Sequence, residues 1–215
     1  PVAVEEEGKT TVSARKLLDI VRALPGNATI SVNAADGKAV VKAGKSRFSL
    51  ATLSSDDFPD SEGANYIDEI SLPQSALKSL LDETSFAMAS QDVRYYLNGL
   101  LLERDDTTLR AVATDGHRLA LGSLTTATPV SEKNSVIVPR KAIIELGRLL
   151  NDSDDIVKMA FSNQQIKVEL PDIHFTSKLI DGQFPNYERV LPLGGDKEVL
   201  ADRDELKQAL SRAAI

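Results

Sequence analysis

The sequence predicts an α+β fold built from a repeated unit of one strand, one helix and several antiparallel strands, with the helices on one face of the sheets. Three observations predict it. Four stretches carry apolar residues at helical spacing. The runs between them alternate short β-prone segments with turn dipeptides. The chain also matches itself at a constant offset of 126 residues. Layers with the helices gathered on one side bury such apolar faces most economically.

The first helix is expected over 14–24, where Leu17, Leu18, Ile20, Val21 and Leu24 form one face. Arg15, Asp19 and Arg22 lie on the other, and Pro25-Gly26-Asn27 stops the helix. The second is expected over 75–85, after Pro73. The third spans 140–150 and ends at Asn151 and an acidic turn; the fourth spans 204–213. Strands are expected over 28–32, 39–41, 48–53, 93–102, 109–113, 119–124, 135–138, 155–161, 166–170 and 173–180. Asp36-Gly37, Asn98-Gly99, Asp115-Gly116 and Asp181-Gly182 read as turns.

The offset of 126 residues carries Val12 onto Val138, Leu17 onto Ile143, Leu18 onto Ile144, Leu24 onto Leu150 and Ile30 onto Ile156. It also carries Arg15 onto Lys141, Asp19 onto Glu145 and Arg22 onto Arg148, so the charged face repeats with the core positions. Further on it pairs Leu53 with Leu179, Phe58 with Phe184 and Pro59 with Pro185. An offset of 129 relates Ile70, Leu77, Lys78 and Leu81 to Val199, Leu206, Lys207 and Leu210. A looser offset of 60 relates Val12 and Leu17 to Leu72 and Leu77. The unit therefore occurs twice per domain of about 126 residues, and the chain samples it four times. A start at Pro1 without Met and an end inside a helix make a fragment the expectation.

Composition narrows the function classes. At 215 residues the chain makes one large domain or about two small ones. Its 42% hydrophobic content supports a core, and no apolar run approaches a membrane span. Residues 1–10 show no leader pattern. There are no cysteines, and His117 and His174 are the only imidazoles, so a thiolate metal site is excluded and a His-based centre is poorly supplied. The net charge is −7, but it is unevenly spread. The four helices carry nine Lys/Arg and six Asp/Glu, a net of +3, leaving 16 and 26, a net of −10, for the rest. This pattern suits a protein whose helices face a polyanion while its other surfaces repel it; the plainer alternative is an ordinary solvated helix face.

QDVRYYLNG (91–99), ATDGHRLA (113–120), VIVPRKAIIEL (136–146) and FTSKLIDGQFPNYERVLP (175–192) resemble the bacterial DNA polymerase III beta sliding clamps. The resemblance runs from SARK (13–16) to SRAAI (211–215). It implies the clamp fold, with 1–64 as the C-terminal half of domain I, 65–192 as a complete domain II and 193–215 as the start of domain III. It further implies a cytoplasmic processivity factor that closes as a homodimeric ring around duplex DNA, needs no cofactor or metal, has no catalytic site and does not engage a membrane. The implied protein partners are the polymerase III alpha subunit and the clamp loader, held through short linear motifs.

The resemblance assigns DNA contact to Arg15, Gln91, Tyr95 and Tyr96. Arg22, Lys141 and Arg148 join them on the repeated charged helix faces. Read as strand residues, Tyr95 and Tyr96 would occupy opposite faces, with at least one in the core. A peptide pocket is implied at Arg94, Leu97, Thr114, Gly116, His117, Arg118, Leu119, Pro185, Arg189 and Val190. There Leu97, Leu119, Pro185 and Val190 offer apolar walls and Arg94, Arg118 and Arg189 a cationic rim, although Leu119 and Val190 alone read as core. A subunit interface is implied at Ile20, Phe48, Leu50 and Ile215, for which an unpaired strand edge at 46–52 would serve ring closure. Two competing readings are a repeat-built protein-interaction scaffold without DNA binding and a hydrolase using His117 oriented by Asp115. The second lacks any nucleophile motif. His174 is expected to be structural.

Overall fold

The computed structural model describes residues 3–58, 65–130, 132–192 and 194–214. Pro59, which enters the repeat, and Ile215, assigned to a subunit interface, lie outside the described residues. The chain divides into two compact units, Pro1–Gly63 and Ala64–Ile215.

In the first unit β1 (Thr11–Val12) leads into α1 (Ala14–Ala23), followed by β2 (Ser31–Ala35), β3 (Lys38–Ala43) and β4 (Ser46–Leu53). The sheet is antiparallel in the order β1-β4-β3-β2. β2 starts later than the sequence suggests, because the Ala28 N–H donates to the Pro25 carbonyl and closes a turn there. Asp36 and Gly37 both have positive φ, 52° and 72°, the geometry a two-residue hairpin with native twist requires. Ala39, Val41 and Leu50 form the small core, and Val12, Leu17, Ile20 and Phe48 pack against it. Leu50 is only 7% exposed, so its side chain serves this core rather than presenting a surface. β4 pairs with β1 only at Thr52 and Leu53, so over 46–51 its other edge has no strand partner among the described residues.

The second unit runs β5 (Asp68–Pro73), α2 (Gln74–Thr84), β6 (Gly99–Asp105), β7 (Thr108–Thr114) and β8 (Leu119–Thr125). It continues with β9 (Asn134–Pro139), α3 (Arg140–Leu149), β10 (Ile156–Phe161), β11 (Gln165–Glu169), β12 (His174–Lys178) and, last, α4 (Arg203–Ala213). The strand before each helix joins the other half's sheet: one sheet is β12-β11-β10-β5 and the other β8-β7-β6-β9. β5 lies along β10 and β9 along β6. The inward residues of both sheets and of α2 and α3 form one core, including Ile70, Leu77, Leu81, Leu100, Leu146, Val157 and Phe161. Both helices therefore lie on the same face, as expected.

The first turn of α2 has no side-chain cap. Its Gln74 and Ser75 N–H groups donate to the carbonyls of Asp155 and Ser153, so the loop after α3 satisfies the helix end. On the far side of the β6 sheet Leu101, Val112, Ile137 and Tyr187 make a second, smaller cluster. β6 is buried on both faces, which is why it opens with the unbroken apolar run Leu100–Leu102 and buries even Glu103 and Arg104.

The offset of 126 carries α1 onto the bounds of α3, and β2, β3 and β4 onto β10, β11 and β12. The Thr11–Leu53 bridge of the first unit maps onto Ile137 and Leu179, and there the next residue, Ile180, donates its N–H to the Ile137 carbonyl at 2.9 Å. The hairpins differ by two residues in register, because Ala35 pairs with Lys38 across two residues and Phe161 with Ile166 across four. The offset of 129 likewise carries α2 onto 203–213, the bounds of α4. The counterpart of β5, 197–202, forms no strand, and none of the described strands pairs with it.

One expected strand begins in the wrong place. The run 93–102 is not extended throughout, because Tyr95–Leu97 forms a 3-10 turn and β6 starts at Gly99. Gly99 is not a turn residue either. A Cβ there would stand 2.6 Å from the Val138 carbonyl oxygen and 2.9 Å from an Ile137 methyl, so only glycine lets β6 and β9 approach. Gly99→Ala is expected to lower the unfolding free energy by about 1–3 kcal/mol, read from urea denaturation, because the obstructing atom is backbone and cannot yield.

Candidate nucleic-acid and peptide sites

Two groups of the expected residues fall in the second unit, and Asn98 organises the first. Its side chain accepts the Asp92 N–H at 2.9 Å and donates to the Asp92 carbonyl at 2.8 Å. The Asp92 carboxylate takes the Arg94 N–H at 2.8 Å and the Arg94 guanidinium at 2.9–3.0 Å. These bonds to a short polar side chain turn the backbone into a 3-10 helix instead of a strand. They also hold Gln91 with φ at 59°, a left-handed conformation that costs a non-glycine residue about 1–2 kcal/mol.

Gln91 borders a shallow groove of about 340 Å³ with Ser90, Asn98, Arg140, Lys141, Ile144 and Glu145. Gln91 and Lys141, 50 residues apart in sequence, are thus brought together at the start of α3. Tyr95 is exposed on the same loop, and its ring meets Tyr96 edge to face at 5.7 Å. Tyr96 is half-buried against the second cluster, so the pair is split between solvent and core although neither residue lies in a strand. Lys141 and Arg148 are exposed on α3 opposite Ala142, Ile143 and Leu146, and Arg148 pairs with Glu145 at 2.8 Å. In the first unit Arg15 and Arg22 are likewise exposed on α1. Of the other residues expected at an interface, Ile20 and Phe48 are half-buried against the first unit's core.

The second group surrounds the turn 114–118. Thr114 Oγ1 donates to the Arg118 carbonyl and accepts the Gly116 N–H. Asp115 accepts the N–H groups of His117 and Arg118 at 2.9 and 3.0 Å and the Arg118 Nε at 3.1 Å. Its carboxylate is thus spent on closing the turn, and it meets His117 through backbone, not as an orienter of the imidazole. The catalytic pairing of these two residues is not assembled. Arg118 also donates to the Phe86 carbonyl at 2.8 Å and stands 5.5 Å over the Phe86 ring. Arg94 reaches the Asp115 carbonyl at 3.3 Å and fills the space over Gly116, whose φ is 88°.

Leu119 is half-buried against the cluster that holds Tyr187, while Val190 is 69% exposed at the end of the 3-10 turn Tyr187–Val190. Pro185 and Arg189 are exposed on the same segment. Leu97 is the exception: at 1% exposure it is interior, and it supports the loop instead of lining a surface. His174 is exposed on β12, its Nδ1 3.9 Å from Glu169.

Sequence reasoning did not find Glu103. This buried carboxylate accepts Arg110 at 3.0 Å, Lys133 at 2.9 Å and the Tyr187 hydroxyl at 3.0 Å. Burial alone would raise its pKa, yet the three donors hold it below the usual glutamate value, while burial and the adjacent carboxylate push Tyr187 up to about 12. The only hint in the sequence was a charged pair, Glu103-Arg104, ending an apolar strand.

A helix-over-sheet unit repeated along the chain, with cations on the outward helix faces, defines the DNA-clamp fold class. Residues 71–186 match the family model for the central domain of the DNA polymerase III beta subunit, and 2–62 match the model for its N-terminal domain. The chain belongs to the DNA polymerase III beta subunit family. It is 52% identical to the beta sliding clamp of Pseudomonas aeruginosa over 98% of its own length and 57% of that protein's. The crystal structure of the Pseudomonas aeruginosa clamp bound to griselimycin is similar, with a TM-score of 0.89, 51% identity and coverage of 99% of this chain and 58% of that one. The Bacillus subtilis polymerase sliding clamp retains the fold at 28% identity, with a TM-score of 0.92 over 99% of this chain and 56% of that one. The chain thus spans a little under three-fifths of the length of these relatives.

The Asp92 and Asp115 carboxylates are both held down to about 2, Asp92 chiefly by the Arg94 guanidinium and N–H and Asp115 chiefly by the His117 and Arg118 N–H groups. Because both values are depressed below about 3.9, the stability they lend is full above pH ~4 and is lost as pH falls through about 2. Carboxyl NMR titration is expected to give midpoints near 2 for these two residues, and ordinary values would show the turns to be open in solution.

Proposed function

We propose that the chain is part of a DNA sliding clamp, a non-catalytic processivity factor that encircles duplex DNA and tethers the replicative polymerase through a peptide site. In this reading 1–64 is the C-terminal half of domain I, 65–192 is domain II and 193–215 opens domain III. The observation that carries it is the repeated charged face. Arg15 and Lys141, Asp19 and Glu145, and Arg22 and Arg148 occupy the same positions on α1 and α3; α1 turns Leu17 and Ile20 to its sheet and α3 turns Ile143 and Leu146, while the repeated Leu18 and Ile144 stay exposed. A ring that slides needs phosphate attraction without base readout, and exposed cations on helix faces supply that.

Gln91, Tyr95 and Tyr96 extend the DNA surface from the loop beside Lys141. Leu119, Pro185 and Val190 form the apolar part of the peptide site, and Arg94, Arg118 and Arg189 attract its carboxylates. The polymerase III alpha subunit and the clamp loader are the proposed peptide donors, and the protein is cytoplasmic. No helix among the described residues is long and apolar enough to cross a membrane. The half-buried Ile20 and Phe48, together with the free edge of β4 at 46–51, form one side of a homodimer contact with Leu50 behind it and Ile215 of a second copy opposite.

Two tests follow from this reading, both in the full-length protein. Replacing Arg15 and Lys141 by Glu is expected to weaken DNA retention. Each neutralised cation should lower the slope of log affinity against log salt by about one. An unchanged slope would make these faces ordinary solvated surface and favour the interaction scaffold. Leu119→Ala is expected to weaken a polymerase-tail peptide by about 1–3 kcal/mol in calorimetry, and unchanged binding would remove Leu119 from the site.

A further inference from the structure

The segment after β12 carries Pro185, Arg189 and Val190, yet most of it is exposed and lies beside an open cleft of about 440 Å³. That cleft is lined by Lys133, Asn134, Asn163, Gln183 and the backs of Leu101 and Ile137. Between Asp181 and Val190, Tyr187 is the one fully buried residue, at 7% exposure. Its ring packs with Leu101, Val112 and Ile137, the cluster on which Leu119 also rests. Its hydroxyl donates to Glu103 Oε1 at 3.0 Å across 84 positions of sequence. Glu103 is fixed in turn by Arg110 on one oxygen and Lys133 on the other.

We propose that Tyr187, tethered through its hydroxyl to Glu103, is the positioning residue that holds the Tyr187–Val190 turn against Leu119, so that the two walls of the peptide site keep their spacing. The ring supplies burial that any aromatic can supply. The hydroxyl supplies the register, because a hydrogen bond to a carboxylate that is itself clamped has one place to form. Both residues are buried, so their role is to position the turn and not to offer the peptide a contact surface. The inference rests on the peptide-site reading given above.

The test compares full-length wild type with Tyr187→Phe and Glu103→Gln, using a polymerase-tail peptide as the probe. Tyr187→Phe leaves both oxygens of Glu103 bonded to Arg110 and Lys133, so no buried charge is stranded and the fold should persist, with circular dichroism melting within a few degrees of wild type. Peptide affinity is expected to fall about fivefold through faster dissociation, the scale of one lost hydrogen bond. Amide exchange is expected to quicken at 186–191 and not in β6 or β7. Glu103→Gln turns an NH2 group toward one of the two cations and so opens the clamp; its peptide affinity is expected to fall by a similar factor, and Tyr187→Phe added to it is expected to cost less than about twofold more, a coupling that a merely structural role would not give. If Tyr187→Phe binds peptide as wild type does, the tether has no positioning role and the proposal falls while the peptide site stands. If wild type itself does not bind the peptide, the peptide-site reading falls and takes this proposal with it.

Discussion

The exchange of pre-helix strands between half-units is the constraint on which the second unit depends. β5 lies along β10 and β9 along β6, so neither half completes its sheet alone. Once both ladders are formed, α2 and α3 are drawn onto one shared core, and each has a single apolar face to bury. The polar faces of the helices are left over. What stands on them, Lys141 and Arg148 on α3, is therefore presented to solvent by the packing itself and not by any local device.

The same exchange fixes the course of the segment after β12. Because β9 closes the β6 sheet and its Ile137 carbonyl receives the Ile180 N–H, the chain leaving β12 is delivered across the outer face of that sheet. Leu101, Val112 and Ile137 there are too apolar to remain open, and Tyr187 covers them. The turn that carries Arg189 and Val190 is thus a by-product of covering a second apolar face. Gly99 marks the point where β6, β9 and the Ile180 side chain meet most closely.

The helices were legible because their apolar spacing is regular and proline stands at two of their starts. The expected ranges 14–24 and 140–150 differ from Ala14–Ala23 and Arg140–Leu149 by one residue. The repeat was legible for the same reason. Strand exchange was not, because pairing partners leave no trace in a single sequence when both candidate strands are apolar. The stretch 93–98 was misread because the apolar and aromatic run VRYYL has β propensity, and the decisive bonds come from the Asn98 and Asp92 side chains. Leu97 and Leu50 could not be told from surface residues, since burial depends on the other face of each element. Glu103 and Tyr187 lie 84 residues apart and meet only in the folded unit.

In the proposed reading the full-length protein holds DNA by topology, with diffuse phosphate attraction from exposed helix faces. The most direct measurement is retention of the full-length protein, loaded on DNA, after the DNA is linearised. A topological link gives stable retention on nicked circular DNA at salt concentrations that abolish direct binding, and rapid loss once a single cut provides an end. Equal retention on circular and linear DNA would contradict it, because a protein held only by surface contacts does not sense an end.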